Sequence, residues 1–274
     1  MLPDDLLICI RVVLCRPGHP GNIGAAARAM KTMGLSRLSL IAPRRWDLAA
    51  REEALARAAG AEDLLIEAEL CDDLDTALRR SVLTAGLSAR QRDLGPTLYD
   101  ARSAASFLCE RLDSLDLRLA IAVTQGGTGI LPEAALLFGN ESSGLSNDEL
   151  SACRVLIQIP SDPDFASLNL AAAVQLMCYE LRMAAFNKAK ETPPAPRAAT
   201  IRAVPPATHA ELVRLHKHLL DTMERSRFYD TDRPRRLPAK LWLMLQRGGL
   251  SREEVSLLRG VLTAVGAYLP ENNC

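Results

Sequence analysis

Short runs rich in Ile, Val and Leu alternate with helical stretches through the first 160 residues, and this alternation limits the fold more than any other feature of the chain. The runs are ICIRVVL (8–14), LSRLSLIAP (35–43), SVLTAGL (81–87), LRLAIAVT (117–124), EAALLFG (133–139) and VLIQIP (155–160). Helical patterns fill the gaps: Asn22 to Gly34, the alanine-rich 52–70, which also leaves room for a strand, and DDLDTALRRS at 72–81. Strands that are apolar throughout and joined through helices pair in parallel, with helices on both faces. The expectation is an α/β domain with a mostly parallel sheet.

Beyond the last run the pattern changes. A long helix is expected from about Ser167, a natural N-cap, to Lys190, with Leu170, Val174, Met177 and Leu181 at core spacing. ETPPAPRAATIRAVPPAT (191–208) cannot continue it and reads as a Pro/Ala-rich linker. The remainder, 209–274, offers two or three helical stretches, the last opened by a capping box of Ser251 and Glu254. The domains are therefore 1–190, the linker 191–208, and a helical extension 209–274.

A hydrophobic fraction of 48% with 24% charged residues excludes a disordered or fibrous chain. No apolar run nears the roughly eighteen residues of a membrane span, and the N-terminus opens on acids, so the expected location is the cytoplasm, with no membrane partner. Seven cysteines without a CxxC pair argue against a disulfide framework or zinc ribbon. His19, His209, His216 and His218 form no familiar ligand spacing, so no metal is expected. The net charge of zero hides an asymmetry: residues 1–181 hold 17 Lys and Arg against 24 Asp and Glu, whereas 182–240 hold 13 against 6. A basic segment on an acidic body suits contacts to nucleic-acid phosphates, although a solvated helix face has the same composition.

Three polar loops follow apolar runs. RPGHPGNIGAAARAM (16–30) puts glycines between a strand and a helix, but it matches neither GxGxxG nor GxxxxGK[ST]. Within it, Asn22 reads as a helix cap or a site amide, and Arg28 as a solvated cation or a site residue. LLFGNESSGL (136–145) offers Gly139 and Gly144 for close backbone approach and Glu141 at a sheet edge; a plain turn would also explain it. IPSDPDFASLNLAAAV (159–174) brings Ser167 and Asn169 to the start of the long helix.

In this order and wording, the three loops resemble the three motifs of the SPOUT-class RNA 2′-O-ribose methyltransferases, over about residues 7–186. The tail 209–262 is similar to the helical extension of that class's TrmJ-like branch, whose members methylate the ribose of the pyrimidine two nucleotides before the first anticodon base of tRNA. The resemblance implies a SPOUT-type α/β domain with a deep C-terminal trefoil knot, S-adenosyl-L-methionine as cofactor with S-adenosyl-L-homocysteine as product, tRNA as substrate, and a homodimer in which the Arg of one subunit faces the other's cofactor. It implies catalytic roles for Asn22, Arg28, Glu141, Ser167 and Asn169, and cofactor contacts from Leu87, Ser88, Ala89, Gly139, Gly144, Ile159, Ala166, Ser167 and Leu168.

The chain departs from the family pattern in three places: Leu87 stands for a customary Thr, Ala166 for a small polar residue or Gly, and Asn140 for an Arg frequent in this branch. Rival readings are a SPOUT enzyme acting on ribosomal RNA or another tRNA position, and a non-catalytic RNA-binding protein. Against the second stand intact Arg28, Glu141, Ser167 and Asn169. Since a guanidinium stays protonated, Arg28 is expected to bind a phosphate and stabilise a developing alkoxide, not to act as a base. Arg182, Lys188, Lys190, Arg197, Arg202 and the cluster 225–236 are candidate phosphate contacts, with Phe228 and Tyr229 as stacking or core aromatics.

Overall fold

Among the described residues seven strands form one sheet in the order β3-β2-β1-β6-β4-β7-β5, and every pairing is parallel. They are β1 Ile10–Cys15, β2 Arg37–Ile41, β3 Glu69–Cys71, β4 Ser81–Leu87, β5 Thr97–Asp100, β6 Glu133–Phe138 and β7 Val155–Gln158. This computed structural model describes residues 3–88, 96–114, 133–162, 164–190, 205–231 and 236–269. The chain clusters into two compact units, Met1–Ile201 and Arg202–Cys274.

Alternation along the strands builds a core on each face of the sheet. Val12, Leu14, Leu136 and Phe138 pack with Ile23, Met30, Leu108 and Leu181 on one side, while Val13, Cys15, Ala135 and Leu137 pack with Leu78, Leu150 and Cys153 on the other. The first layer is carried by α1 (Pro3–Leu7), α2 (Pro20–Thr32), α3 (Leu48–Ala58), α4 (Glu62–Ile66), α6 (Ala101–Asp113) and α8 (Leu170–Lys190), the second by α5 (Leu74–Leu78) and α7 (Asn147–Ala152). Leu170, Val174, Met177 and Leu181 are all buried, as their spacing predicts. The six described cysteines are free and buried, and burial lifts thiols such as Cys9, to about 11, out of the reactive range.

Strand β5 and helices α1, α6 and α7 go beyond the sequence reading, whereas β3 falls at the end of the 52–70 stretch that leaves room for a strand. β3 spans three residues and β5 is TLYD; both are edge strands, wet enough to form without an apolar run. The strand expected at 117–124 lies outside the described residues. Helix α8 begins at Leu170, three residues later than expected, so Ser167 is not its cap. Asn169 takes that role, its Oδ1 accepting from the backbone N–H of Ala171 at 2.9 Å. A knot is a property of the whole path, and two connections of this path, 89–95 and 115–132, lie outside the described residues.

All seven strands point their C-terminal ends toward one edge. At the opposite edge Arg11, 7% exposed, donates to Glu133, Ser39 and Glu69, and Arg37 and Arg79 close the network onto the same carboxylates.

The second unit is α9 (His209–Arg225), α10 (Leu237–Gly248) and α11 (Arg252–Gly266) around Ala207, Leu215, Leu245 and Val255. Reciprocal capping boxes open α9 (Thr208, Glu211) and α11 (Ser251, Glu254). The end of the Pro/Ala-rich stretch belongs here, because Ala207 is buried and its N–H donates to Leu250 O. Arg225 donates to the carbonyls of Gly266 and Leu269 at the end of α11, which takes it out of the set of solvated cations.

Candidate active site

The three polar loops meet at the C-terminal edge of the sheet, where Glu141 joins them. Its carboxylate accepts from the backbone N–H of Gly18 (2.8 Å) and His19 (3.2 Å) and from Asn22 Nδ2 (2.9 Å). Asn22 is the third residue of α2 and not its cap; His19 holds the cap position by backbone alone. That placement leaves the Asn22 side chain free to bridge. Its Oδ1 accepts from Asn169 Nδ2 at 3.0 Å, and Asn169 Oδ1 caps α8. The orientation of each amide is forced: a carboxylate only accepts, the start of a helix only donates, and two amides between them have one consistent arrangement.

Burial, the largest single influence on Glu141, raises its carboxyl. The hydrogen bonds from Asn22, Gly18 and its own and His19's backbone together outweigh it and hold the group below its ordinary value. Glu141 is therefore an anion in the folded protein at neutral pH.

The turn carrying Glu141 is built by Asn140 and two glycines. Asn140 is buried, and its Oδ1 accepts from the backbone N–H of Ser142 (3.0 Å) and Ser143 (2.7 Å), an Asx turn. Gly144 closes the turn at φ +69°. A Cβ on Gly139 would lie 2.0 Å from the Gly144 carbonyl carbon and 2.1 Å from Leu145 N, so no side chain fits there.

Behind the turn opens a cavity of about 520 Å³. Leu87, Ser88, Gly139, Glu141, Gly144, Ile159, Ala166, Ser167 and Leu168 line it, so one wall brings together all the expected cofactor contacts but Ala89, which lies outside the described residues. Its floor is apolar: Phe138, Leu145, Leu150, Ile157, Leu170 and Ala173. From the sequence these residues read as core or carry no signal, since an apolar side chain facing a cavity has no signature that separates it from one facing another helix. Asn140 and the two serines were legible in principle, because Asn followed by polar residues marks an Asx turn. Among the described residues the Ser167 hydroxyl makes no hydrogen bond, while the amides of Asn22 and Asn169 are both engaged.

Arg28 stands apart. It lies six residues beyond Asn22 on α2, about 9 Å farther along the axis and roughly 120° around it. It does not line the cavity; it is exposed, and among the described residues its guanidinium has no hydrogen bond or ion pair. Among the described residues no three His, Cys, Asp or Glu side chains gather into a metal-binding group, and no helix is long and apolar enough to cross a membrane.

The family model described as SpoU rRNA Methylase family matches residues 9–179, and that of the tRNA methyltransferase TrmJ C-terminal domain matches 210–273. The tRNA (cytidine/uridine/adenosine-2'-O-)-methyltransferase TrmJ of Pseudomonas aeruginosa is 40% identical over 257 residues, 93% of this chain and 92% of that protein. The tRNA (cytidine/uridine-2'-O-)-methyltransferase TrmJ of Yersinia pestis is 33% identical over 256 residues, 93% of this chain and 91% of that protein. The crystal structure of TrmJ from Z. mobilis ZM4 is similar at a TM-score of 0.71 and 27% identity, covering 93% of this chain and 98% of that one.

Proposed function

The chain belongs to the SpoU rRNA methylase family, and from that premise we propose that it is a tRNA ribose 2′-O-methyltransferase. It transfers the methyl group of S-adenosyl-L-methionine to the ribose 2′-oxygen of the pyrimidine nucleotide two positions before the first anticodon base and releases S-adenosyl-L-homocysteine. The observation that carries the reading is the chain of hydrogen bonds Asn169–Asn22–Glu141, which ties the three motif loops together at the rim of one cavity. The cavity suits the cofactor: about 520 Å³ is within the usual range of small-molecule sites, with an apolar floor for a flat base and glycine-bearing backbone for polar ends. The tRNA-methylating relatives and the matched C-terminal domain support the substrate, and such an enzyme works in the cytoplasm with its tRNA.

When bound, S-adenosylmethionine supplies an electrophilic methyl group. The protein holds the ribose hydroxyl in line with it and manages the proton. With the amides of Asn22 and Asn169 engaged, these two and Glu141 are positioning residues, and Ser167, whose hydroxyl is uncommitted among the described residues, is the one that holds the ribose. Arg28 binds the neighbouring phosphate and stabilises the alkoxide as it develops, while the proton leaves to that phosphate or to water. Its distance from its own cavity supports a homodimer in which each Arg28 serves the partner's site. So does a stripe of exposed apolar residues on α8, Leu176, Tyr179 and Met183. A trefoil-knotted path completes the proposal, supported by cavity walls drawn from the ends of β4, β6 and β7.

Arg28→Ala tests the assignment. Turnover on unmodified tRNA is expected to fall on the order of 100- to 1,000-fold with cofactor affinity intact. Near-parental turnover would sink it.

A further inference from the structure

We propose that the loops ending β1 and β2, residues 16–19 and 42–46, form a contact surface for the RNA backbone, with Arg44 and Arg45 as its phosphate ligands. The proposal rests on the reading of the chain as a tRNA methyltransferase and names a part of the protein that grips the substrate.

Both strands end in the same unusual way. Cys15 and Ile41 are the last paired residues of β1 and β2, and the next residue on each strand, Arg16 and Ala42, adopts a left-handed conformation at φ +50° and +39° although neither is glycine. Such backbone is strained for a residue with a side chain and persists only where its surroundings enforce it. Here Arg16 N–H donates to Ile41 O (2.8 Å), Ala42 N–H to Cys71 O (3.0 Å), and Arg44 N–H crosses to Pro17 O (3.1 Å). The two loops therefore leave the sheet together as one braced element. Trp46 packs on the core and pins the far end, with Arg51 over its ring and bonded to its carbonyl.

The braced element presents cations. Arg44 and Arg45 are exposed, and among the described residues neither guanidinium has an ion pair or hydrogen bond. Arg44 lies beside the cavity: a Cβ built on Gly18 would sit 3.1 Å from Glu141 Oε2 and 4.0 Å from Arg44 Cδ. On a body that carries 17 cations against 24 anions, a bare pair at this position has little use for folding and the right sign for a polyanion. By contrast, several cations of the basic segment are already engaged. Arg182 donates to Met33 O and stacks on Phe186, Lys188 faces Asp113, and Arg225 holds the end of α11. Phosphate contacts of this kind position RNA without reading its sequence.

The test uses the full chain with Arg44→Gln and Arg45→Gln together. Arg80→Gln serves as control, because it lies at the opposite edge of the sheet just before β4. Filter binding of unmodified tRNA over about 0.05–0.3 M salt should give a log–log slope shallower by roughly 0.7–0.9 for each phosphate ligand removed. KM for tRNA should rise about tenfold at about 0.1 M salt, with kcat and S-adenosylmethionine affinity unchanged and the control unaltered. Restoring charge with Arg44→Lys and Arg45→Lys should recover most of the slope. The proposal is overturned if the Gln pair leaves slope and KM at parental values in an enzyme that methylates tRNA. Loss of cofactor affinity in the pair would also overturn it, since the loops would then be acting on the cavity. A parental chain that methylates no tRNA would instead overturn the reading on which the proposal stands.

Discussion

Replacing Glu141 by Gln keeps the shape of the side chain and removes the charge on which three donors converge. Gly18 N–H, His19 N–H and Asn22 Nδ2 all point at its two oxygens. A glutamine offers one oxygen and one NH₂, so at least one donor meets another donor. A hydrogen bond to a charged acceptor is worth about 1.5–3 kcal/mol net, and because Glu141 is half-buried the lower part of that range applies. A loss of about 2 kcal/mol corresponds to roughly 30-fold. The affected bonds join loops and not core, so the loss is expected in cofactor affinity: calorimetry should find S-adenosylmethionine bound about 10- to 30-fold more weakly, with the melting temperature little changed. The carboxyl titrates below its ordinary 4.5 in the folded chain, so its contribution is fully present above that value and disappears as the pH falls through the lower, folded one. Parental affinity should therefore decline in that acid window while the Gln variant, already weakened, declines less. Parental affinity in the variant, with an unchanged acid profile, would refute the idea that Glu141 holds the loops.

Mixing Arg28→Ala with Gly139→Ala subunits should restore activity that neither variant has alone, because one site of each mixed dimer then pairs an intact cavity with an intact Arg28; inactivity of exchanged dimers would place Arg28 in its own subunit's site. Glu133→Ala, at the other edge of the sheet, strips the buried Arg11 of its main partner and should cost about 3 kcal/mol in urea denaturation with cofactor affinity unchanged. His216 is held below its ordinary 6.5 by burial, opposed in part by its contact with Pro238 O at 3.0 Å. The neutral ring is thus the folded form, and stability of the helical unit should be greatest above 6.5 and fall as pH drops toward the folded value, a trend that His216→Phe should abolish in amide exchange of α9.

The central strands were legible because burial on both faces demands unbroken apolar runs, and Val12 to Cys15 in β1 and Ala134 to Phe138 in β6 obey that demand. The edges were not: Thr97–Asp100 needs no such run, and nothing in TLYD separates a strand from a loop. At the site, the residues named from the three loops line one cavity or bond around it, with Arg28 as the exception, and a helix period alone does not tell which subunit an exposed arginine serves. Ser167 looked like a helix cap because Ser, Leu and Asn precede an apolar helix; Asn169 displaces it because an amide can cap α8 and still reach Asn22. The engagement of Arg182 and Arg225 was likewise invisible, since a count of charges does not distinguish a solvated cation from one that binds a carbonyl of its own chain.

The methyltransferase assignment is tested by incubating the full chain with isotopically labelled S-adenosylmethionine and unmodified tRNA, digesting the RNA, and identifying the labelled nucleotide by mass spectrometry. The expected product is a pyrimidine nucleotide 2′-O-methylated on its ribose, two nucleotides before the first anticodon base. Label on a base, label on a ribose elsewhere in the tRNA, or no label despite bound cofactor would contradict the assignment.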